Sequence, residues 1–135
     1  MRPLLDGATL AGRMSTVICL NFVSVSEVDG ALVIGFADHE FETTRYVMFQ
    51  RSLDPDDDDG VYAERDGQQY SAYGRVESCA LGRDQVSFVL SQTLAAALDI
   101  PPELSVHFDC GDDTFDSLRI GLGKLFAGTD CYLVS

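Results

Sequence analysis

The chain has few basic residues: 9 lysines and arginines stand against 22 aspartates and glutamates, and the formal net charge is -13. Nucleic-acid-binding proteins take much of their affinity from lysine and arginine on phosphates, so this scarcity argues against a nucleic-acid ligand. It argues equally against binding to anionic membrane surfaces. No apolar stretch has the length needed to cross a bilayer. A cationic protein partner, or solubility alone, accounts for so many acids.

The residues of common catalytic and redox sites are also sparse. The two histidines, His39 and His107, share no metal-ligand spacing with the cysteines, and no C-x-x-C pair occurs. There is no G-x-S-x-G motif and no glycine-rich phosphate loop between a strand and a helix. The sequence therefore predicts a protein that is not an enzyme and that holds no metal or cofactor. A small metal-dependent hydrolase using either histidine with carboxylates remains an alternative hypothesis.

We predict no secretory signal in the first residues, since MRPLLDGATLAGR contains Asp6 and has no continuous apolar run. Cys19 and Cys79 lie inside apolar strand patterns, which is typical of reduced thiols in a core, and we expect a cytoplasmic protein. A length of 135 residues suits one domain. We predict that this domain spans residues 14–135. Residues 1–13 are then a loosely ordered extension, or they precede a true start at Met14.

Apolar periodicity predicts mainly strands, followed by two helices. The strands are expected at residues 16–25, 31–37, 45–52, 69–79, 85–91 and 103–109, and the helices at residues 92–98 and 114–127. Asp29-Gly30 predicts a hairpin turn between the first two strands. Short connections indicate an α+β fold: a mainly antiparallel sheet of about five to six strands, with two helices packed on one face and the longer helix C-terminal. The tail at residues 129–135 is expected to add a short edge strand or to be loose.

The most polar segment, residues 53–66, contains a run of closely spaced carboxylates. Its aspartates are Asp54, Asp56, Asp57, Asp58 and Asp59. Pro55 and Gly60 interrupt any regular element, and charge repulsion favours an extended, solvated loop. A flexible acidic loop beside a rigid sheet attracts and steers a basic partner. We therefore predict that these aspartates, together with Glu64, form the partner-binding surface.

The same run invites comparison with a calcium loop. An EF-hand loop beginning at Asp54 would place Asp56 and Asp58 correctly. It would also require a glycine where Asp59 stands and a glutamate where Arg65 stands. Both demanding positions fail, so the pattern indicates nonspecific cation attraction and no dedicated calcium site.

Four segments in chain order resemble the immunity protein 10 family, whose members are small proteins of bacterial polymorphic toxin systems. The segments are GFAD at 35–38, RYVMFQRSL at 45–53, YGRVE at 73–77 and DDTFDSLRIGLGKLF at 112–126. The family pattern is a Tyr-x-x-x-Gln-Arg strand, an acidic loop, Tyr-Gly-Gly and a leucine-rich C-terminal helix. The matching residues are Tyr46, Gln50, Arg51, Tyr73 and Gly74. Arg75 replaces the second glycine, and the resemblance covers roughly residues 17–126.

The resemblance implies a protein that binds and neutralises a cognate toxin domain without catalysis. The acidity adds the hypothesis that this toxin is a cationic nuclease. We expect the motif residues to build the fold and the aspartates to meet the toxin, because variable toxins require variable contacts. A DNA-mimicking inhibitor of a nucleic-acid-binding protein is the alternative with the same electrostatics. Which sheet face meets the toxin stays open at this point.

Overall fold

A computed structural model of the protein describes residues 15–134, so the predicted extension at residues 1–13 and Met14 lie outside the described residues. The described residues form two five-stranded sheets, two α-helices and a 3-10 turn at Pro55–Asp57. The strands are β1 (Ser15–Cys19), β2 (Phe22–Val28), β3 (Ala31–Ala37), β4 (Tyr46–Ser52), β5 (Tyr62–Arg65), β6 (Ser71–Tyr73), β7 (Val76–Leu81), β8 (Gln85–Leu90), β9 (Glu103–His107) and β10 (Tyr132–Val134), and the helices are α1 (Gln92–Leu98) and α2 (Asp112–Leu125).

The first sheet, called here the meander sheet, contains β2 to β6 in chain order, and every neighbouring pair is antiparallel. Its first hairpin turns at Asp29 and Gly30, whose φ angles are 52° and 79°. Glycine, and to a lesser degree aspartate, adopts this left-handed conformation at low cost. The predicted hairpin turn is therefore confirmed.

The second sheet has the order β1-β9-β8-β7-β10 and is called here the β8 sheet after its central strand. Its three middle strands are antiparallel, whereas the edge strands β1 and β10 run parallel to their neighbours. These two edge strands come from opposite ends of the described chain. The tail thus adds a short edge strand, which was one of its two predicted forms.

A phenylalanine core joins the two sheets face to face. The ring centroids of Phe49 on β4 and Phe88 on β8 lie 4.6 Å apart, and Phe36 on β3 meets Phe88 edge-on at 6.4 Å. All three side chains are buried. Alternation along β3 and β8 places such residues on the facing sides of the sheets and leaves the other side of each sheet outward.

Both helices lie on the inner side of the meander sheet. α1 brings Leu94 against the backbone at Gly74 of the β6–β7 connection. α2 passes close to Val25 and Ile34 at its own Gly121. Neither helix in the described part of the chain is long and apolar enough to cross a membrane.

The α+β class, the mainly antiparallel strands and the longer C-terminal helix are confirmed. α1 has the predicted bounds, and Ser91 caps it by accepting a hydrogen bond from the Leu94 N–H at 3.2 Å. α2 begins and ends two residues earlier than predicted, at Asp112–Leu125. Local signals therefore located both helices.

The strands differ from the prediction in number and grouping, because two predicted strands each divide between the two sheets. The first divides between β1 and β2 near the buried Leu20, whose N–H donates to the His107 carbonyl at 2.9 Å. Residues 69–79 divide between β6 and β7 around Gly74. Residues 16–25 are mostly apolar on both sides of their crossing, so periodicity does not reveal it.

The two cysteines predicted to be core thiols have different surroundings. Cys79 is buried, and this burial raises the pKa of its thiol; the neighbouring Cys131 raises it further. The prediction for Cys19 is wrong, since this residue is exposed on the edge strand β1. An apolar run on an edge strand does not guarantee that both of its sides are covered.

Candidate functional site

The aspartate loop, residues 53–60, joins β4 to β5 and is partly ordered by its own hydrogen bonds. Asp54 accepts a hydrogen bond from the Asp56 N–H at 3.0 Å and so caps the 3-10 turn. The Leu53 N–H donates to the Gly30 carbonyl at 2.8 Å, which ties the loop to the β2–β3 hairpin. The prediction of a fully extended loop is wrong for this turn, because capping and proline favour a local fold there. All the loop aspartates are nevertheless exposed.

Arg51 connects the aspartate loop to the end of α2. Its guanidinium contacts the Asp58 carboxylate at 2.9 Å and donates to the carbonyls of Leu125 at 2.8 Å and Ala127 at 2.9 Å. The hydrogen bond from Arg51, and then that from the Gly60 N–H, lower the pKa of Asp58. The cation also interacts favourably with the negative end of the helix dipole. A partner that uses Asp58 must therefore compete with Arg51.

Glu64 on β5 is the one buried charged side chain among residues 15–134, with 8% of its surface exposed. The Tyr46 hydroxyl donates to one carboxylate oxygen, and the Tyr62 hydroxyl donates to the other at 2.7 Å. Hydrogen bonds to a charged acceptor are among the stronger ones and offset part of the cost of burying the carboxylate. Glu64 thus lies between two tyrosines, apart from the exposed aspartates with which it was grouped.

These contacts change the titration of both tyrosines. Burial, and then Glu64, raise the pKa of Tyr46 to about 12. For Tyr62 the hydrogen bond with Ser71 lowers the pKa, but burial and Glu64 together outweigh it, and the pKa is raised. Both hydroxyls therefore remain protonated hydrogen-bond donors at neutral pH.

A shallow cleft of about 220 Å³ connects the aspartate loop with the meander sheet. Asp57 and Asp59 line it from the loop, and Gln50 and Tyr73 line it from β4 and β6. Tyr73 is 56% exposed and meets the Tyr62 ring edge-on, with centroids 5.4 Å apart. The fold thus brings two of the predicted contact aspartates next to two residues of the sequence motif.

Gly74 permits a close approach between the β6–β7 connection and α1. A Cβ atom at this position would lie 2.8 Å from the Cβ of Leu94, which is shorter than real Cβ contacts. The Gly74 N–H also donates to the Val61 carbonyl at 3.0 Å. Packing against Leu94 therefore explains why this position has no side chain.

The motif residues follow one another in the order of a known family. Residues 19–116 match the family model of immunity protein 10. The chain belongs to the immunity protein 10 family. The matched range contains the whole meander sheet and the aspartate loop, and it ends within α2. A comparison with curated proteins finds no match.

The two histidines of this immunity protein 10 domain lie on separate elements. His39 is exposed after β3, and His107 lies on β9 opposite Gln85 of β8. Among residues 15–134 there is no group of three or more histidines, cysteines and acids that could hold a metal ion.

Tyr62 is the residue of this site that sequence reasoning missed. It lies on β5, opposite Gln50 of β4 and Tyr73 of β6. The available signal was the alternation along β5, where Tyr62 and Glu64 face one side of the strand and Ala63 and Arg65 face the other. That strand has four residues and follows the aspartate loop, so its periodicity was too short to separate it from the polar segment.

Proposed function

We propose that this domain neutralises a cognate bacterial toxin by binding the toxin domain and covering its active site, without catalysis, cofactor or metal of its own. The family match over residues 19–116 carries the proposal. The protein then acts in the cytoplasm of the toxin-producing cell, as part of a polymorphic toxin system. The partner is a protein, and neither nucleic acid nor membrane is a ligand.

The charge of the domain supports a cationic toxin, with a nuclease as the class that fits best. A nuclease binds phosphates through lysine and arginine, and a protein with net charge -13 offers the complementary sign. Asp56, Asp57 and Asp59 are exposed on the aspartate loop and are available to steer such a partner. Asp54 and Asp58 contribute charge to the same loop while they hold its shape.

Co-expression with the toxin encoded beside this gene tests the proposal. We expect cells to survive and the two proteins to purify as a complex. Death of cells that contain abundant, soluble domain contradicts it. If the domain instead inhibits a nucleic-acid-binding protein unrelated to any neighbouring toxin, the DNA-mimicking alternative is correct.

A test of the aspartate loop needs a control variant that loses the same number of negative charges elsewhere in the domain. Replacing Asp56, Asp57 and Asp59 by Asn should slow association with the toxin by roughly tenfold at low salt and weaken its dependence on ionic strength. The control replaces three exposed aspartates outside this loop by Asn: Asp109, Asp113 and Asp116. Equal rates for the two variants would remove the loop from the interface, since both carry the same net charge.

A further inference from the structure

The outer face of the meander sheet is uncovered in the part of the chain that the structure describes. Both helices and the β8 sheet pack on its inner side. The outer face consists of alternate residues of the five strands, from Phe22 on β2 to Tyr73 on β6. Although 23% of the chain is charged, Glu64 is the single charged residue among these strand positions, and it is buried. A solvated sheet face of so acidic a protein would carry more charge.

The side chains on the β4–β6 side of this face are those that favour protein contacts. Tyr46 and Met48 lie on β4, Tyr62 on β5 and Tyr73 on β6, and strand pairing places all four on the outer face. Tyrosine and methionine are enriched at the cores of protein interfaces, where charged residues are depleted. Glu64 holds two of the hydroxyls in place, so fewer rotamers are lost when a partner binds. The outward strand residues of the β8 sheet, by contrast, include no tyrosine or phenylalanine.

Acidic residues lie at both ends of the same face. Asp57 and Asp59 line the cleft at one end of β4. Asp38, Glu40 and Glu42 belong to the connection before β4, at the other end. A second copy of this chain would set acidic ends against acidic ends, which like-charge repulsion disfavours. A basic protein surface is complementary to both.

We propose that the toxin domain docks on this outer face, with the tyrosines against an uncharged patch of the toxin and the two acidic ends against basic residues around that patch. This inference rests on the proposed function and assigns it a surface. β2, β3 and β4 have seven residues each, β5 has four and β6 has three. At about 3.3 Å per residue and about 4.8 Å between strands, they cover about 440 Å². A standard interface buries roughly 800 Å² per partner, so the acidic ends contribute about half of the docking surface.

A matched pair of substitutions tests the assignment. Val33 lies outward on β3, opposite Gln50, and Val89 lies outward on β8 of the other sheet. Val33→Arg should weaken binding to a catalytically inactivated form of the toxin domain by about 100-fold, because it places an unpaired charge inside the interface. Val89→Arg should change the dissociation constant by less than about threefold. Isothermal titration calorimetry measures both, and circular dichroism checks that each variant is folded.

A third variant covers the case in which Val33→Arg does not fold. Tyr73→Ala removes an exposed ring outside the core and should weaken binding by about tenfold.

The outcomes separate this inference from the proposed function. If the wild-type domain does not bind the toxin, both fail. If it binds, and folded Val33→Arg and Tyr73→Ala bind as tightly as the wild type, the docking face is wrong while the proposed function stands. If Val33→Arg instead converts a dimer of this chain to a monomer in sedimentation experiments and leaves toxin binding unchanged, the face contacts a second copy and the inference is overturned.

Discussion

Two glycines in α2 offer a sharp test of how the helix packs, since they are close together on one helix but differ in their surroundings. Gly121 is buried, and a Cβ atom there would lie 2.9 Å from Cγ1 of Val25 and 3.3 Å from Cδ1 of Ile34. Gly123 is exposed, and the nearest atom to its Cβ would be Cε2 of Tyr132 at 3.9 Å. Alanine at either position brings the same gain in helix propensity, about 1 kcal/mol.

The difference between the two alanine variants therefore isolates the packing of α2 on the meander sheet. Gly123→Ala should stabilise the protein by about 0.5–1 kcal/mol. For Gly121→Ala the same gain is opposed by an overpacking cost of about 1–3 kcal/mol. Ile34 is fully buried, and Val25 is β-branched with a stiff side chain, so neither neighbour moves aside easily. We expect Gly121→Ala to lower the free energy of unfolding by about 1 kcal/mol. Its free energy of unfolding then lies about 2 kcal/mol below that of Gly123→Ala.

Urea denaturation followed by circular dichroism at 222 nm measures both free energies of unfolding. The contact with Val25 can be checked within the same series. Adding Val25→Ala to Gly121→Ala removes the crowding methyl groups and should cost less than Val25→Ala costs in the wild type. If Gly121→Ala stabilises the protein as much as Gly123→Ala does, the close contact between α2 and β2–β3 is refuted.

Three further predictions follow from named contacts. Arg51→Met should lower the free energy of unfolding by about 2 kcal/mol, because Asp58 and two carbonyls at the end of α2 lose their donor. The control Arg75→Met, at an exposed ion pair, should lower it by less than about 0.5 kcal/mol. Equal losses in urea denaturation would contradict the role of Arg51. Gly74→Ala should clash with Leu94 and destabilise the protein by about 2 kcal/mol, which corresponds to a thermal midpoint lower by several degrees. An unchanged midpoint would show that α1 shifts away from the new methyl group at no cost. In the folded protein the pKa of Tyr46 is raised to about 12 from an ordinary value of about 10. The protonated hydroxyl of Tyr46 therefore stabilises the fold below about pH 10, and this stabilisation is lost as the pH rises from about 10 to 12. Urea denaturation across that range, with Tyr46→Phe as the variant that should show a weaker decline, tests this dependence.

Local signals were enough to locate much of the fold. Ser91 followed by an apolar stripe defined α1, and Asp29-Gly30 defined the tightest hairpin, because caps and left-handed turns depend on residues next to one another. The leucine spacing in α2 likewise marks the side that faces the core. These elements were predicted because their physical causes lie within a few residues.

The division into two sheets was not predictable in the same way. An apolar run such as residues 16–25 has the same pattern whether it remains in one sheet or crosses to another. The crossing at Leu20 becomes visible only when its N–H is found paired with the carbonyl of His107. Similarly, β5 is defined by its pairing with β4 and β6, since its own sequence is short and polar.

The amino-acid sequence by itself determined the net charge, the order of the family motifs, the helices and the acidic character of the aspartate loop, all of which depend on composition or on neighbouring residues. Tertiary structure alone decided which acids remain available to a partner. Glu64 accepts a hydrogen bond from Tyr46, which is 18 positions away in the sequence. Arg51 pairs with Asp58 and also donates to the carbonyl of Leu125, 74 positions away. Strand register and helix docking create such pairs, and these depend on the packing of the whole core, so the sequence pattern could not distinguish buried or paired carboxylates from exposed ones.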